Sequence, residues 1–117
     1  MDAKELGRKG EALARRYYEK NGYTVLEMNY RTRMGEVDVI AQKGGLYVFC
    51  EVKARSGGPY APREAVTAAK RRRVMLAAQH YVAVQLGTEV EMRFDVAEVI
   101  WQEGNFLFRC IENAFSF

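Results

Sequence analysis

Gly35-Glu36-Val37-Asp38-Val39-Ile40-Ala41-Gln42-Lys43-Gly44-Gly45, continued by Leu46-Tyr47-Val48-Phe49-Cys50-Glu51-Val52-Lys53-Ala54-Arg55, decides how this chain folds. Two runs of alternating apolar residues flank a glycine pair, which is the pattern of a hairpin. Strands are expected over 34–41 and 46–55, with 42–45 as the turn. In the second strand Leu46, Val48, Cys50, Val52 and Ala54 share one face. Tyr47, Phe49, Glu51, Lys53 and Arg55 share the other. In the first strand Glu36 and Asp38 alternate with Val37, Val39 and Ala41. Both strands thus carry charge in the middle of apolar sequence. Burying an ion without a partner is costly, so these charges are expected to have partners or a task.

The length of the turn sets what meets what. If Gly44 and Gly45 alone make the reversal, Lys43 pairs with Leu46. Asp38 then lies opposite Glu51, and Glu36 opposite Lys53. Directly opposed side chains have Cβ atoms about 5 Å apart. A four-residue turn makes Asp38 and Glu51 diagonal neighbours on one face, and a three-residue turn puts them on opposite faces. Two carboxylates brought that close repel, and they share a proton unless a cation sits between them. Oxygen ligands with no histidine or cysteine among them suit a hard ion, Mg²⁺ or Mn²⁺. Such an ion polarises a phosphodiester and acidifies water, while Lys53 beside it could orient that water or neutralise developing charge. The plainer reading is an ion-pair network in which Asp38 and Glu51 hold Lys53 and Arg55.

Outward from the hairpin, Ala3, Leu6, Gly10, Leu13, Tyr17 and Asn21 recur at helical steps, predicting a helix over 3–21 that stops at Gly22. Residues 24–30 read as a strand. After Arg55 comes the loop Ser56-Gly57-Gly58-Pro59-Tyr60-Ala61-Pro62, and then a helix from Pro62 to about Leu86. Its buried stripe is expected at Val66, Ala69, Arg73 (by its stem), Ala77, Tyr81 and Val84, broadened by Val74 and Leu76. Residues 89–101 and 105–111 form a closing hairpin. The order is α-β-β-β-α-β-β, read as one domain over 1–117. The long helix acts as a crossover that lays the fourth strand parallel to the third. An α/β sandwich follows, with a mixed five-stranded sheet and a helix on either face.

Charge narrows the partner. The net is +3, yet residues 1–73 carry sixteen Lys and Arg against nine Asp and Glu, and residues 74–117 two against six. The basic part includes Lys70-Arg71-Arg72-Arg73. That asymmetry points to an anionic partner, nucleic acid first, against the alternative of a solvated helix face. Arg31, Arg33 and Arg55 flank the charged hairpin and suit phosphate contacts. No run is apolar and long enough for a membrane span, the start lacks a secretion signal, and the cytoplasm is expected. Cys50 and Cys110 are expected in the core, and the lone His80 is expected to pack rather than to bind metal.

Asp38 followed by Glu51-x-Lys53 resembles the PD-(D/E)xK signature of the restriction-endonuclease-like superfamily. Within it, the chain resembles the YraN family of small bacterial proteins. The matching residues are Gly7-x-x-Gly10-Glu11-x-x-Ala14, Asn29-Tyr30-Arg31, Gly35-Glu36-Val37-Asp38 and Phe49-Cys50-Glu51-Val52-Lys53-x-Arg55. Lys70 with Ala77, Arg93-Phe94-Asp95-Val96 and Glu112-Asn113-Ala114-Phe115 complete them. Cys50 stands where that family usually has valine, and no proline precedes Asp38. The resemblance implies a restriction-endonuclease-like fold similar to archaeal Holliday-junction resolvases. It implies metal binding by Asp38, Glu51 and the helix residue Glu11, with Lys53 assisting the attacking water. It also implies a site contact from Lys70, and Glu36 is read either as a partner holding Lys53 or as a loop residue without that role. The expected activity is Mg²⁺- or Mn²⁺-dependent hydrolysis of DNA, ahead of RNA, in repair or recombination. Junction-cutting analogues work as dimers, so a homodimer is one expected form. A non-catalytic nucleic-acid-binding module of the same fold is the alternative.

Overall fold

The computed structural model describes residues 1–57 and 66–117. Asp2 opens the first helix, α1 (Ala3–Lys20), by accepting the Glu5 N–H at 2.8 Å on its carboxylate, an N-cap. The buried side of α1 is Leu6, Gly10, Ala14 and Tyr18. The expected stripe through Leu13, Tyr17 and Asn21 is therefore displaced by one residue after the second turn. Gly10 explains the displacement: a Cβ there would lie 3.1 Å from the Ala54 Cβ, so the bare backbone lets α1 settle closely on the sheet.

Three strands follow, β1 (Thr24–Arg31), β2 (Glu36–Lys43) and β3 (Leu46–Ser56). Helix α2 (Ala68–Tyr81) runs on into a π-helical turn, Val82–Leu86, and β4 (Glu91–Gln102) and β5 (Asn105–Phe115) close the chain. The sheet order is β1-β2-β3-β4-β5. All neighbours are antiparallel except β3 and β4, which the α2 crossover makes parallel. The architecture is the expected α-β-β-β-α-β-β sandwich with a mixed five-stranded sheet.

Two apolar clusters fill the two sides of the sheet. Ala14 and Tyr18 of α1 pack on Val39, Val48, Cys50 and Ala97. Val74, Ala77, Ala78 and Tyr81 of α2 pack on Ile40, Phe49, Phe94 and Phe115. Of the expected α2 stripe, Val66, Val74, Ala77 and Tyr81 are buried, whereas Ala69, Arg73 and Val84 are exposed. The start of α2 also differs. The expected start at Pro62, and the loop from Gly58 onward, lie outside the described residues. Within them, Val66 and Thr67 are not helical, and the Thr67 hydroxyl caps the helix by accepting the Lys70 N–H at 3.2 Å. Arg71 likewise serves the fold: its Nε donates to the Val66 carbonyl at 3.0 Å, and its guanidinium lies 5.8 Å from the Phe115 ring centre.

Strand β5 runs four residues past its expected end at Ile111. The extension turns on a bulge between Phe94 and Val96, opposite which Asn113 takes a left-handed backbone, φ 51. Trp101 and Phe106 pack against each other at the closing hairpin, ring centres 4.8 Å apart. No helix among the described residues is long and apolar enough to cross a membrane.

Candidate functional site

The β2–β3 reversal takes two residues, with Lys43 paired to Leu46, and the ladder keeps that register to Val39–Cys50. Beyond that pair the backbone ladder stops. Asp38 substitutes for it, its Oδ2 accepting the Val52 N–H at 2.7 Å. Asp38 and Glu51 lie close enough to share a hydrogen bond, and Asp38 is pushed up to about 7. Burial is the first cause and the Glu51 carboxylate the second, while the Val52 N–H pulls the other way.

Glu51 is 3% exposed. Its Oε1 lies 3.3 Å from Lys70 Nζ, so helix α2 delivers a cation to the carboxyl pair. Glu51 is in turn the main reason that the Lys70 ammonium holds its proton more tightly than usual. Lys53, two residues after Glu51, is in register with Glu98 of β4, which is 7% exposed. Adjacent residues in register on parallel strands share a face, so Glu98 belongs to the same charged patch.

Glu11 approaches from α1. Asn29 Nδ2 donates to its Oε1 at 3.1 Å, and Asn29 itself has a left-handed backbone, φ 55, which asparagine tolerates. Burial raises the Glu11 carboxyl, the Asn29 bond lowers it, and Asp38 raises it again, so the two acids feel each other. Glu36 pairs with Arg31 at 3.4 Å across β1 and β2. Arg33 is exposed in the β1–β2 turn. Arg55 Nη1 is buried with no hydrogen-bond partner among the described residues.

The structure therefore brings Asp38, Glu51 and Lys70 into one cluster, with Glu11 and Arg31 within electrostatic reach. Among the described residues no three His, Cys, Asp or Glu side chains close into a metal-holding group. Two adjacent carboxyls nevertheless fit a magnesium-type ion, which is usually held by one or two carboxylates and completed by water and substrate phosphates.

Sequence reading gave no role to two buried acids, Asp95, which it met only within a matching stretch, and Glu98. Asp95 is fully buried and fully satisfied. It accepts the Tyr18 hydroxyl at 2.6 Å, a forked pair from Arg93 Nε and Nη2 at 2.9 Å each, and the Asn113 N–H at 3.0 Å. Glu112 lies 3.7 Å from Arg93 Nη1. The stretches Arg93-Phe94-Asp95 and Glu112-Asn113 thus form a structural staple on the α1 face of the sheet, in register with Cys50 beside Glu51. The signal was present, since both acids interrupt an apolar strand just as Glu51 does.

Residues 10–99 match the model of a group described as "Uncharacterised protein family UPF0102". A UPF0102 protein of Symbiobacterium thermophilum is 46% identical over 116 residues, covering 97% of this chain and 98% of its own. One from Chlorobium chlorochromatii is 50% identical over 96 residues, 81% of this chain and 74% of its own. One from Alkaliphilus metalliredigens is 46% identical over 99 residues, 84% and 87%.

Proposed function

This chain belongs to the UPF0102 (YraN) family, a PD-(D/E)xK endonuclease-like group, and from that premise we propose that it is a metal-dependent nuclease of DNA. The observation that carries the reading is the apposed pair Asp38 and Glu51, with Asp38 raised to about 7. Asp38, Glu51 and the more distant Glu11 would hold Mg²⁺ or Mn²⁺. The ion, when bound, supplies positive charge that polarises the phosphodiester and acidifies water.

The chain's own groups do the rest. Asp38 would give up its proton in holding the ion. Lys70 fixes the Glu51 carboxylate, restraining its rotamer. Lys53 sits two residues from Glu51 on the same face, where its ammonium donates to a phosphate oxygen or holds the attacking water. Water attacks phosphorus, the bond to the leaving oxygen breaks, and the water proton passes to that oxygen. Arg31, Arg33 and Arg55 contact flanking phosphates, which supports affinity without base choice. Acting on both strands of a branched repair or recombination intermediate in the cytoplasm would take a homodimer.

The test is incubation with Mg²⁺ or Mn²⁺ and linear, single-stranded and branched DNA, beside Asp38→Ala and Glu51→Ala. Cleavage by the wild type alone supports the reading, and equal behaviour of all three proteins sinks it. One observation favours a second reading, a nucleic-acid-binding module without turnover: Lys70 already occupies Glu51. That reading predicts salt-sensitive binding in chelator that survives Glu51→Gln, with no cleavage by any form.

A further inference from the structure

The turn between β1 and β2 is held firmly. Thr32 Oγ1 accepts the N–H groups of Met34 and Gly35 at 3.1 Å each, and the Thr32 N–H donates to the Gly35 carbonyl at 2.8 Å. The turn lies against α2, where Gly35 meets the backbone of Arg73. Farther along α2 the His80 ring is fixed by the Tyr30 hydroxyl, 2.8 Å from Nδ1. Between turn and helix is an open concavity of about 890 Å³ lined by Arg31, Thr32, Arg33, Met34 and His80.

Its wall combines two guanidinium groups, a fixed imidazole and a methionine that is 51% exposed. That is the chemistry of a nucleotide site: cations for phosphate, and a flat ring with an adaptable thioether for a base. Its position suits a strand leaving the carboxyl pair. Arg31 at its edge pairs with Glu36. His80 lies ten residues beyond Lys70 on α2. That is about 15 Å along the axis at 1.5 Å per residue, or about four stacked nucleotides at 3.4 Å each.

We propose that this concavity is a second subsite that takes an unstacked base of single-stranded nucleic acid. Its phosphates lie on Arg31 and Arg33 and its base against Met34 and His80. The proposal rests on the nucleic-acid reading above and deepens it by naming the substrate class. An intact duplex cannot offer the subsite a base, because its bases are stacked and paired. A single strand or an unpaired branch can.

The experiment measures binding of a short labelled single strand, and of its duplex, by fluorescence anisotropy in chelator, so that cleavage plays no part. Met34→Ser and His80→Gln are each expected to weaken single-strand binding about tenfold, the scale of one lost stacking contact, and to leave duplex binding within about twofold. Arg16→Ala, on the exposed side of α1 across the sheet, should affect both forms alike and slightly. Thermal melts establish that the variants fold, and Met34→Ser, at an exposed turn, decides the matter if His80→Gln does not. Equal loss on single strand and duplex, or no loss on either, overturns the subsite while leaving the nuclease reading in place. No binding by the wild type overturns the subsite and the non-catalytic binding reading, and leaves the nuclease reading to the cleavage test. Absence of cleavage with selective loss of single-strand binding overturns only the catalytic reading.

Discussion

Gly35 and the carbonyl of Arg73 meet with no room between them. A β-carbon on Gly35 would stand 1.9 Å from that oxygen and 2.8 Å from the Arg73 Cα. The contact sets the β1–β2 turn on α2, and with it the spacing between the strand of Asp38 and the helix of Lys70. Overpacking costs about 1–3 kcal/mol when side chains can yield, and here the obstacle is helix backbone, so Gly35→Ala is expected to lose at least about 3 kcal/mol. Urea denaturation measures this. A loss under about 1 kcal/mol would mean that the turn slides off the helix at little cost.

Asp95 and Arg93 form the other close relationship, a forked pair with one partner fully buried. Removing one member of a buried pair leaves the other uncompensated and costs about 3–5 kcal/mol. Asp95→Asn keeps the shape and removes the charge, so a loss of about 3 kcal/mol is expected by the same principle. Oligonucleotide binding should not change, because the Asp95 carboxylate faces Tyr18 of α1 whereas Glu51 faces Lys70 of α2. A binding defect at unchanged stability would move Asp95 from the scaffold to the site.

Asp38 makes stability depend on pH in an unusual direction. Its carboxyl is raised from 3.8 to about 7 by burial and by Glu51. Between those values the folded chain holds a proton that the unfolded chain has released. The stabilisation is complete below pH 3.8 and is lost as pH rises through 7. At 1.36 kcal/mol per pH unit the effect is on the order of a few kcal/mol. Asp38→Asn cannot titrate, so it should gain on the wild type by about 2 kcal/mol or more between pH 5 and pH 8. Urea melts at the two pH values test it, and a constant difference between the proteins would refute it.

Metal binding should release the same proton. Calorimetry of Mg²⁺ or Mn²⁺ binding near pH 7 is expected to give heats that vary with the ionisation enthalpy of the buffer. At pH 9, where Asp38 is already ionised, that dependence should vanish. Asp38→Asn and Glu51→Gln should each weaken or abolish the heat. Buffer-independent heats at pH 7 would place the ion elsewhere.

Much of this architecture was legible because its signals leave few solutions. Gly44-Gly45 between alternating runs admits the two-residue reversal, and a long helix after β3 forces the parallel crossover to β4. Other features were not legible for physical reasons. Tyr17 and Tyr18 are chemically equivalent choices for the buried face of α1, and the closeness allowed by Gly10 decides between them. Pro62 and Thr67 are both good helix starts, and the hydroxyl cap at Thr67 marks the one found within the described residues. The end of β5 was hidden because Asn113 adopts a backbone that usually ends a strand, held here by Asp95. At the site, Asp38 and Glu51 came from spacing, whereas Lys70 came from resemblance, since no local pattern says which side chain of a distant helix will reach a strand. Asp95 was met only within a matching stretch and Glu98 not at all, because their partners, Tyr18 and Asn113 for Asp95 and the in-register Lys53 for Glu98, lie on other elements.

The Gly44-Gly45 reversal also bears on assembly. A hairpin closes within about 1–10 μs, well before a crossover helix can dock. The two acids are therefore forced together early, in a local unit that has not yet met its ammonium partner. Without the burial that raises Asp38 in the folded chain, the hairpin's acids take up protons in the ordinary carboxylate range, so refolding followed by stopped-flow fluorescence should quicken as pH falls from about 6 to about 4, and a rate indifferent to pH would mean that the hairpin forms last.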